Sequence, residues 1–340
     1  MLNGILYIIN MLLLFALFLS YTSPYISPDT FLWPVALFGL IYPFLLVTNV
    51  LFSIYWLIRF KKHFWANIVV ILLGYGHIQN LLNIQEKESD TEADFSVMSF
   101  NVRLFNAYDW IKKDNMKQEI IEYLNKESVS ILCLQEFYAP GELPKLNYPH
   151  NHIGLQSKRK SWRMATYSNY PIFKKGTVSI YGERTNNVCI YSDIAIGGDS
   201  IRVYNVHLAS NWFEKEDYEF LDRPSVEGAE SIIERLKKSF FKRAKQVKAI
   251  RAHMSTSPYK IILCGDFNDT PTSFSYKQLS EGLNDSFTNA GTGLGQTYNG
   301  KFPTLRIDYI LHSPEIKINS FKTKEVNLSD HFPIVSTFNY

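Results

Sequence analysis

The hydrophobic positions divide the chain into an almost uniformly apolar N-terminal part and a longer part in which apolar runs alternate with polar segments. Residues 1–85 contain three Lys or Arg and a single acid, Asp29. Uncharged apolar runs of about 18 residues are long enough to cross the hydrocarbon core of a bilayer. The pattern therefore predicts an all-α transmembrane domain at residues 1–84, with about three helices at residues 4–21, 31–58 and 65–82.

These three segments differ in how well they fit a membrane span. Residues 4–21 are uncharged and are not preceded by a basic residue, although a cleaved signal peptide is the alternative interpretation. The run 31–58 contains Pro34 and Pro43, so we expect a kink or a tilt. Residues 65–82 include several small or polar residues, and an amphipathic helix on the membrane surface is the alternative there.

The loops between the segments predict how the chain crosses the membrane. Residues 22–29 contain no Lys or Arg, whereas residues 59–65 contain three. Because positively charged loops stay in the cytoplasm, the second loop is expected inside and the first outside. Three crossings place the rest of the chain at the outer face, which is the periplasmic side of a bacterial inner membrane. If the third segment does not cross, the rest of the chain faces the cytoplasm.

Residues 85–94 are charged, lack large apolar side chains and are predicted to be a linker. From residue 95 to residue 340, short β-branched or aromatic runs alternate with helical patterns at residues 115–125 and 226–254. This alternation predicts a layered α/β sandwich with two sheets and outer helices. The predicted strands cover residues 95–101, 130–135, 164–167, 188–194, 201–206, 260–264, 306–311 and 334–338.

Charge and cysteine usage restrict the function further. The whole chain has a formal net charge of +3, and acids and bases nearly balance beyond the apolar part. This balance excludes a general nucleic-acid coat, so any anion binding must be local. Cys133, Cys189 and Cys264 each lie in an apolar, strand-like run. An odd number of such cysteines argues against a disulfide framework.

Polar side chains stand at the ends of six predicted strand segments. Each has an ordinary structural explanation when taken alone, as a turn former, a cap or a surface acid. Their repetition at so many strand ends predicts one rim of the sandwich where functional groups meet. These residues are Asn101, Glu136, His207, Asp266, Asn268, Asp308, Asp330 and His331.

The segments that carry these residues resemble, in order, the signature segments of the endonuclease/exonuclease/phosphatase superfamily. They read SFNVRLFN, LCLQEFY, YNVHLAS, ILCGDFND, RIDYIL and SDHFPIV. The resemblance covers residues 95–340 and none of residues 1–94. It implies a DNase I-like four-layer α/β/β/α sandwich and a hydrolase acting on phosphoester bonds.

Phosphoester hydrolysis needs a water molecule whose pKa is lowered and groups that neutralise the negative charge of the phosphoryl group. Carboxylate and amide oxygens suit Mg²⁺, with Mn²⁺ as a second option. We predict Glu136 as the first metal ligand, with Asn101 and Asp330 completing the site. In CGDFND, Asp266 is predicted to take a proton from water while Asn268 donates a hydrogen bond to a phosphate oxygen.

The resemblance also assigns roles to two histidines. It pairs His331 with Asp308, which would fix the tautomer or the protonation of the imidazole. His207 stands where some relatives carry Tyr, which makes the chain more similar to the deoxyribonuclease and sphingomyelinase branches. Arg184 is a candidate phosphate clamp because a guanidinium binds two oxygens at once, and a structural hairpin arginine is the alternative.

The sequence therefore predicts a membrane-anchored, metal-dependent phosphoesterase acting on phosphodiesters of nucleic acid or of phospholipid headgroups. Anchoring raises the local concentration of lipid-borne substrate and so favours the lipid. The basic helix at 226–254 and the run 158–163 are candidate substrate contacts, although the helix also fits a solvated face. No protein partner is predicted. A catalytically silent domain that binds an anionic ligand or a protein is the alternative.

Overall fold

The computed structural model describes residues 2–84, 92–138, 141–154, 162–180, 188–211, 225–300 and 305–340. Arg184, most of the predicted linker and most of the basic run 158–163 lie outside the described residues. The chain divides into two compact units. A helical unit comprises residues 1–82, 212–244 and 269–278, and a sheet unit comprises residues 83–211, 245–268 and 279–340.

The helical unit begins with five helices, and proline and glycine set their breaks. Where the sequence predicts one helix over 31–58, the chain turns at Ile41 just before Pro43, which lacks the backbone N–H of a helix interior. Gly74 separates the last two helices. The five helices are α1 (Leu2–Thr22), α2 (Val35–Leu40), α3 (Tyr42–Ile58), α4 (His63–Leu73) and α5 (Tyr75–Leu81).

Residues 1–82 bury several polar side chains beside a small apolar core of Leu17, Tyr21, Tyr42 and Leu45, and they leave many apolar side chains exposed. Asn10 and Asn67 exchange two side-chain hydrogen bonds of 2.9 Å, and the indole of Trp56 donates to Asn10 at 2.8 Å. Asn10, Asn49 and Asn67, from α1, α3 and α4, are fully buried, and Oδ1 of Asn49 lies 3.4 Å from the amide nitrogen of Asn10. Many large apolar side chains face outward, among them Ile8, Leu12, Phe15, Leu51 and Leu72.

One of the described helices, spanning Asn3–Tyr25, is long and apolar enough to cross a membrane. A signal sequence or the core helix of a soluble protein has the same length and composition. α3 and α4 are apolar but shorter.

In the described part of the chain, the sheet unit contains two six-stranded mixed sheets. Their orders are β11-β12-β1-β2-β4-β3 and β5-β6-β7-β8-β10-β9. All eight predicted strands are present, together with β3, β5, β9 and β11, which form the four sheet edges. The strands are β1 (Phe95–Asn101), β2 (Ile131–Tyr138), β3 (His150–Gly154), β4 (Trp162–Ser168), β5 (Ile172–Thr177), β6 (Cys189–Ile196), β7 (Asp199–His207), β8 (Lys260–Asp266), β9 (Asn284–Asp285), β10 (Asp308–His312), β11 (Lys317–Thr323) and β12 (Ile334–Asn339).

The core of the sheet unit lies between the two sheets and contains apolar side chains from both. Helix α6 (Met116–Glu127) packs against the outer face of the first sheet through Ile120 and Leu124. The C-terminal part of α7 (Val226–Met254) lies on the second sheet, where His253 is 2.9 Å from the hydroxyl of Tyr204. This gives the predicted order of helix, sheet, sheet and helix. Two short helices, α8 (Phe274–Ser280) and α9 (Ser286–Ala290), follow β8 and β9.

The strand pairing brings several polar strand ends to one edge. β1 runs parallel to β2, with Asn101 opposite Gln135. β7 runs parallel to β8, with His207 opposite Asp266. β10 runs antiparallel to β8, so Asp308 at its start also lies opposite Asp266. The last residues of β1, β7 and β8, the first residue of β10 and the middle of β2 near Gln135 therefore share one end of the two sheets.

Candidate active site

The side chain of Asp266 is the centre of the polar cluster at this end of the sheets. Its Oδ2 atom accepts hydrogen bonds from the amide nitrogens of Asn101, at 3.1 Å, and Asn268, at 3.2 Å. The Nε2 atoms of His207 and His331 each lie 3.7 Å from the same oxygen. Asp266 is almost fully buried, and this burial raises the pKa of its carboxyl above the usual value. Four of the residues predicted from separate strands thus meet at one carboxylate oxygen.

His331 and Asp308 form a buried ion pair, with Nδ1 2.9 Å from Oδ2. Burial disfavours the charged imidazole, but the carboxylates of Asp308 and Asp266 outweigh it and hold the pKa of His331 well above its ordinary value. The ring of Tyr298 contacts His331 at a centroid distance of 5.3 Å. The structure therefore pairs the two residues that the resemblance pairs, and it keeps the imidazole charged.

His207 has the opposite electrostatic character. Burial lowers its pKa, and neither ring nitrogen has a hydrogen-bond partner among the described residues. Its Nε2 lies 3.7 Å from Oε1 of Glu136 as well as from Asp266. A neutral, buried imidazole with both nitrogens unsatisfied can accept a hydrogen bond from a ligand or a water, or donate one to it.

Glu136 lies beside the cluster with 27% of its side chain exposed. Burial raises its pKa to about 7, and the nearby carboxylates of Asp330 and Asp266 add to this effect. Its backbone is left-handed, with a φ of +48°, which is strained for a residue with a side chain. The bulge between β2 and β4, where the register shifts between Leu134 and Phe137, accommodates this conformation and turns Glu136 towards the site.

The other two predicted metal ligands already have protein partners. The Oδ1 atom of Asn101 accepts from the backbone N–H of Arg103 at 3.0 Å, which turns its amide nitrogen towards Asp266. Oδ2 of Asp330 lies 3.1 Å from Nε of Arg103, and its Oδ1 accepts from the hydroxyl of Ser329 at 3.3 Å. Both residues lie in the site region, where Arg103 links them.

The segment CGDFND turns sharply at its end, and its backbone explains its composition. Gly265 has a φ of +139°, and a Cβ there would lie 1.9 Å from the carbonyl oxygen of Val206 on the neighbouring strand. Phe267 is fully buried, as its position between two site residues predicts, and its ring lies at a tilt against Tyr309 with centroids 4.6 Å apart. Asn268 is left-handed, with a φ of +52°, and its amide nitrogen also donates to the carbonyl of Leu208 at 3.0 Å.

Several supporting residues were not predicted from the sequence. The amide of Gln135 donates to Asn205 at 2.8 Å, and Asn205 donates to the Ala165 carbonyl at 2.9 Å, so this buried pair ties the two sheets together beneath the site. The hydroxyl of Thr297 accepts from the backbone of Asp308 at 3.1 Å. The signal in the sequence is the presence of Gln and Asn inside otherwise apolar strands, whereas Thr297 lies in an irregular segment without a pattern.

The donor set fits a divalent cation. Ligand atoms of Asp266, Asp308 and His331 all lie within 4.8 Å of one another, and all three residues are buried. A charged His331 has no lone pair to offer a metal, so the oxygen atoms are the available ligands. The Oδ1 atom of Asp308 has no hydrogen-bond partner among the described residues, and burial, together with the nearby carboxylates of Asp330 and Asp266, raises the pKa of Glu136. A hard cation such as Mg²⁺ or Mn²⁺ prefers such oxygen ligands and would stabilise their ionised form.

The fold resembles several solved structures at low sequence identity. A functionally unknown conserved protein from Enterococcus faecalis V583 has a TM-score of 0.54 at 15% identity, covering 72% of this chain and 99% of that chain. A mannosyl-6-phosphatase from Bacteroides thetaiotaomicron VPI-5482 has a TM-score of 0.51 at 19% identity, covering 72% and 100%. A 3'-5' exonuclease from Neisseria meningitidis has a TM-score of 0.50 at 18% identity, with the same coverage. These similarities establish the DNase I-like fold.

Sequence families match both parts of the chain. Residues 3–81 match a domain of unknown function, DUF8431. Residues 98–331 match the Endonuclease/Exonuclease/phosphatase family, and this range contains every site residue described above. No curated protein matches the chain in sequence. Because the second match covers more than half of the chain, the protein belongs to the Endonuclease/Exonuclease/phosphatase family and carries a hydrolase domain of the phosphoesterase type.

Proposed function

We propose that this protein is a membrane-anchored, divalent-metal-dependent phosphoesterase that cleaves phosphodiester bonds by in-line attack of water. One observation carries the proposal: Asn101, His207, Asn268 and His331 converge on a single buried oxygen of Asp266. A domain that only binds an anion has no need to concentrate several carboxylates around that anion, since they would repel it. Carboxylates next to imidazoles are what proton transfer to and from water requires.

Asp266 is proposed as the residue that orients the attacking water and takes its proton. Its raised pKa makes it a stronger base than an exposed aspartate. The amide of Asn268, held beside it, would turn to donate to a phosphate oxygen. His331, kept positively charged by Asp308, would neutralise charge on the phosphoryl group, and neutral His207 would hydrogen-bond a second oxygen.

Glu136 is proposed as the principal ligand for Mg²⁺ or Mn²⁺, with Asn101 and Asp330 beside it. The bound metal would withdraw charge from the phosphoryl oxygens and lower the pKa of a bound water. The raised pKa of Glu136 supports this role, because a group that is costly to ionise on its own is well placed to be neutralised by a cation. Arg184, outside the described residues, stays a candidate phosphate clamp.

Membrane anchoring is proposed for residues 1–84, because they bury several polar side chains and expose many large apolar ones. In water, a helix bundle buries its apolar side chains and exposes its polar ones. Here Asn10, Asn49 and Asn67 are buried while Phe15 and Leu51 are 61% and 60% exposed. Buried amides that hydrogen-bond between helices, with apolar side chains outside, are typical of helices packed in lipid. The proposed span is residues 1–84, with 85–94 as linker and 95–340 as catalytic domain at the outer face.

The activity is testable with bis-p-nitrophenyl phosphate and the full-length chain in detergent. We expect turnover with Mg²⁺ or Mn²⁺, none with EDTA, and a loss of about 10²- to 10⁴-fold in Asp266→Ala and His331→Ala. Asp199→Ala is the matched control, because Asp199 is an exposed acid at the far end of β7 and its loss should leave the rate unchanged. Metal-independent turnover, or equal rates in all variants, would instead support a silent binding domain.

A further inference from the structure

The loop that follows Asn101 has an unusual backbone. Arg103, Leu104, Phe105 and Asn106 have φ values of +41°, +54°, +54° and +58°, which makes one left-handed turn. Left-handed backbone is costly for residues that carry a Cβ atom, and consecutive left-handed residues other than glycine are rare. Such strain persists only where the surrounding structure compensates for it, and it is concentrated at functional sites.

The compensating contacts are visible on both sides of the turn. Leu104 and Phe105 are 2% and 3% exposed, and the Phe105 ring packs edge-on against Phe137 of β2. The side chain of Asn106 donates to the carbonyl of Ile111 at 2.9 Å and accepts from its N–H at 3.0 Å. These contacts fix both ends of the segment from residue 107 to residue 110, so the exposed side chains of this segment have a defined position.

The segment displays two large aromatic rings to solvent. Tyr108 is 55% exposed and Trp110 is 43% exposed, and their rings meet at 62° with centroids 5.1 Å apart. We call this pair the aromatic corner. The guanidinium of Arg103 lies 4.5 Å from the centroid of the Trp110 ring while its Nε contacts Asp330. Arg103 therefore connects the aromatic corner directly to the candidate active site.

We propose that the aromatic corner binds a nucleobase of a nucleic-acid substrate, next to the scissile phosphate; this rests on the proposed function and specifies its substrate class. A planar ring can stack on Trp110 while Tyr108 closes the corner, and the Arg103 guanidinium strengthens the stack from the other side. Base–aromatic stacking tolerates any base, so the corner would select for a single-stranded or frayed end without selecting a sequence.

A lipid surface fits the aromatic corner less well than a base does. Insertion into a bilayer needs a contiguous apolar patch, which usually covers several hundred square ångströms. The other exposed large apolar side chains described in the sheet unit are Ile84, Leu143, Phe173 and Leu294, which belong to four different segments. Asp109, exposed between the two rings, would also be carried towards the lipid. Two rings at an angle beside an arginine match one planar ligand.

The test uses the full-length chain in detergent with Mg²⁺. For Trp110→Ala, the ratio of kcat/KM on a single-stranded oligonucleotide to kcat/KM on glycerophosphocholine, a phosphodiester without a ring, should fall roughly 5- to 100-fold. The fall should come from KM, and Trp110→Phe should recover most of it. In EDTA, anisotropy of a fluorescent phosphorothioate oligonucleotide should show the same loss of affinity without turnover. Phe173→Ala is the matched control, an exposed aromatic on edge strand β5 that should change neither measurement.

Several outcomes would overturn the inference. An unchanged oligonucleotide affinity in Trp110→Ala would do so whether or not the enzyme is active. Equal losses on both substrates would show only a disturbed loop. A defect confined to phospholipid in mixed micelles would assign the aromatic corner to lipid. If no variant and no wild-type sample hydrolyses any phosphodiester while Trp110→Ala still loses oligonucleotide affinity, the proposed hydrolase function fails and base binding stands.

Discussion

Burial and neighbouring charges shift the pKa values of individual side chains in the sheet unit, and the candidate site contains shifts in both directions. Burial lowers the pKa of both imidazoles, but the carboxylates of Asp308 and Asp266 outweigh it at His331 and raise that pKa, whereas burial dominates at His207. Glu136 and Asn268 add a second residue-level feature, since both adopt left-handed backbone without being glycine. Strain of this kind at two site residues supports a functional requirement for their positions.

His152 gives a prediction about pH and stability outside the site. It is 8% exposed on β3, with Nδ1 3.0 Å from the hydroxyl of Ser192. Burial, assisted by Lys175, lowers its pKa from 6.5 to about 4. The folded state therefore favours the neutral ring, so its contribution to stability is complete above pH 6.5 and is lost as the pH falls from 6.5 towards 4.

Between pH 7 and pH 5 this linkage should cost about 2 kcal/mol of folding free energy. In His152→Gln, which cannot titrate, the thermal midpoint should fall less over this range than in the wild type, by several degrees. His150→Gln on the same strand is the control and should keep the wild-type pH dependence. Parallel curves for wild type and His152→Gln would contradict the assigned cause.

At the scale of elements, the strand ends decide where the chemistry lies, and one glycine allows two strands to approach. Gly265 on β8 has no room for a side chain, because the nearest atoms to an added Cβ are backbone atoms of Val206 on β7. Backbone cannot move aside as a flexible side chain can. The positive φ of Gly265 adds strain for any other residue.

Gly265→Ala should therefore destabilise the sheet unit by about 3 kcal/mol or more, through the clash and the strained backbone together. Gly197→Ala is the matched control, since Gly197 also has a positive φ, +58°, but an added Cβ meets nothing within 4 Å. We expect about 1–2 kcal/mol there. Thermal unfolding of the full-length variants measures both, and similar losses would show that the close approach to Val206 is unimportant.

The elements also show which strands a sequence pattern can predict. The eight predicted strands occupy interior positions of the two sheets, and β3, β5, β9 and β11, which were not predicted, are the edges. Edge strands carry polar and charged residues because one side faces solvent and because such residues discourage pairing with other chains. IFKKGT in β5 and KINSFKT in β11 therefore lack the apolar run on which the prediction relied.

At the scale of the whole molecule, the proposed membrane anchoring and the positively charged loop at residues 59–65 together predict a topology. A cysteine introduced at Glu92 should react with an impermeant maleimide added to intact spheroplasts. A cysteine at Lys61, in the positively charged loop, should react only after permeabilisation. The native cysteines should not react with the maleimide, because Cys133, Cys189 and Cys264 are all fully buried. Labelling of position 92 only after permeabilisation would place the catalytic domain in the cytoplasm.

The sequence by itself determined the interior strands, the polar residues at their ends and the family, because periodicity and motif order are local properties of the chain. It also indicated the apolar helices and, through Pro34 and Pro43, a kink or a tilt in the second, but it did not show the breaks at Ile41, before α3, and at Gly74, after α4. Those breaks depend on single residues, and one residue changes the mean hydropathy of a long segment very little.

Only the tertiary structure decided which strand ends meet and how each titratable group is charged. The sequence suggested that Asp266 and His331 share a site. It did not show that His331 approaches the Oδ2 atom of Asp266, that the pKa values of His207 and His331 shift in opposite directions, or that a left-handed turn presents Trp110. These features depend on residues far apart in the chain. Burial and proximity are properties of packed elements, and these set pKa and strain.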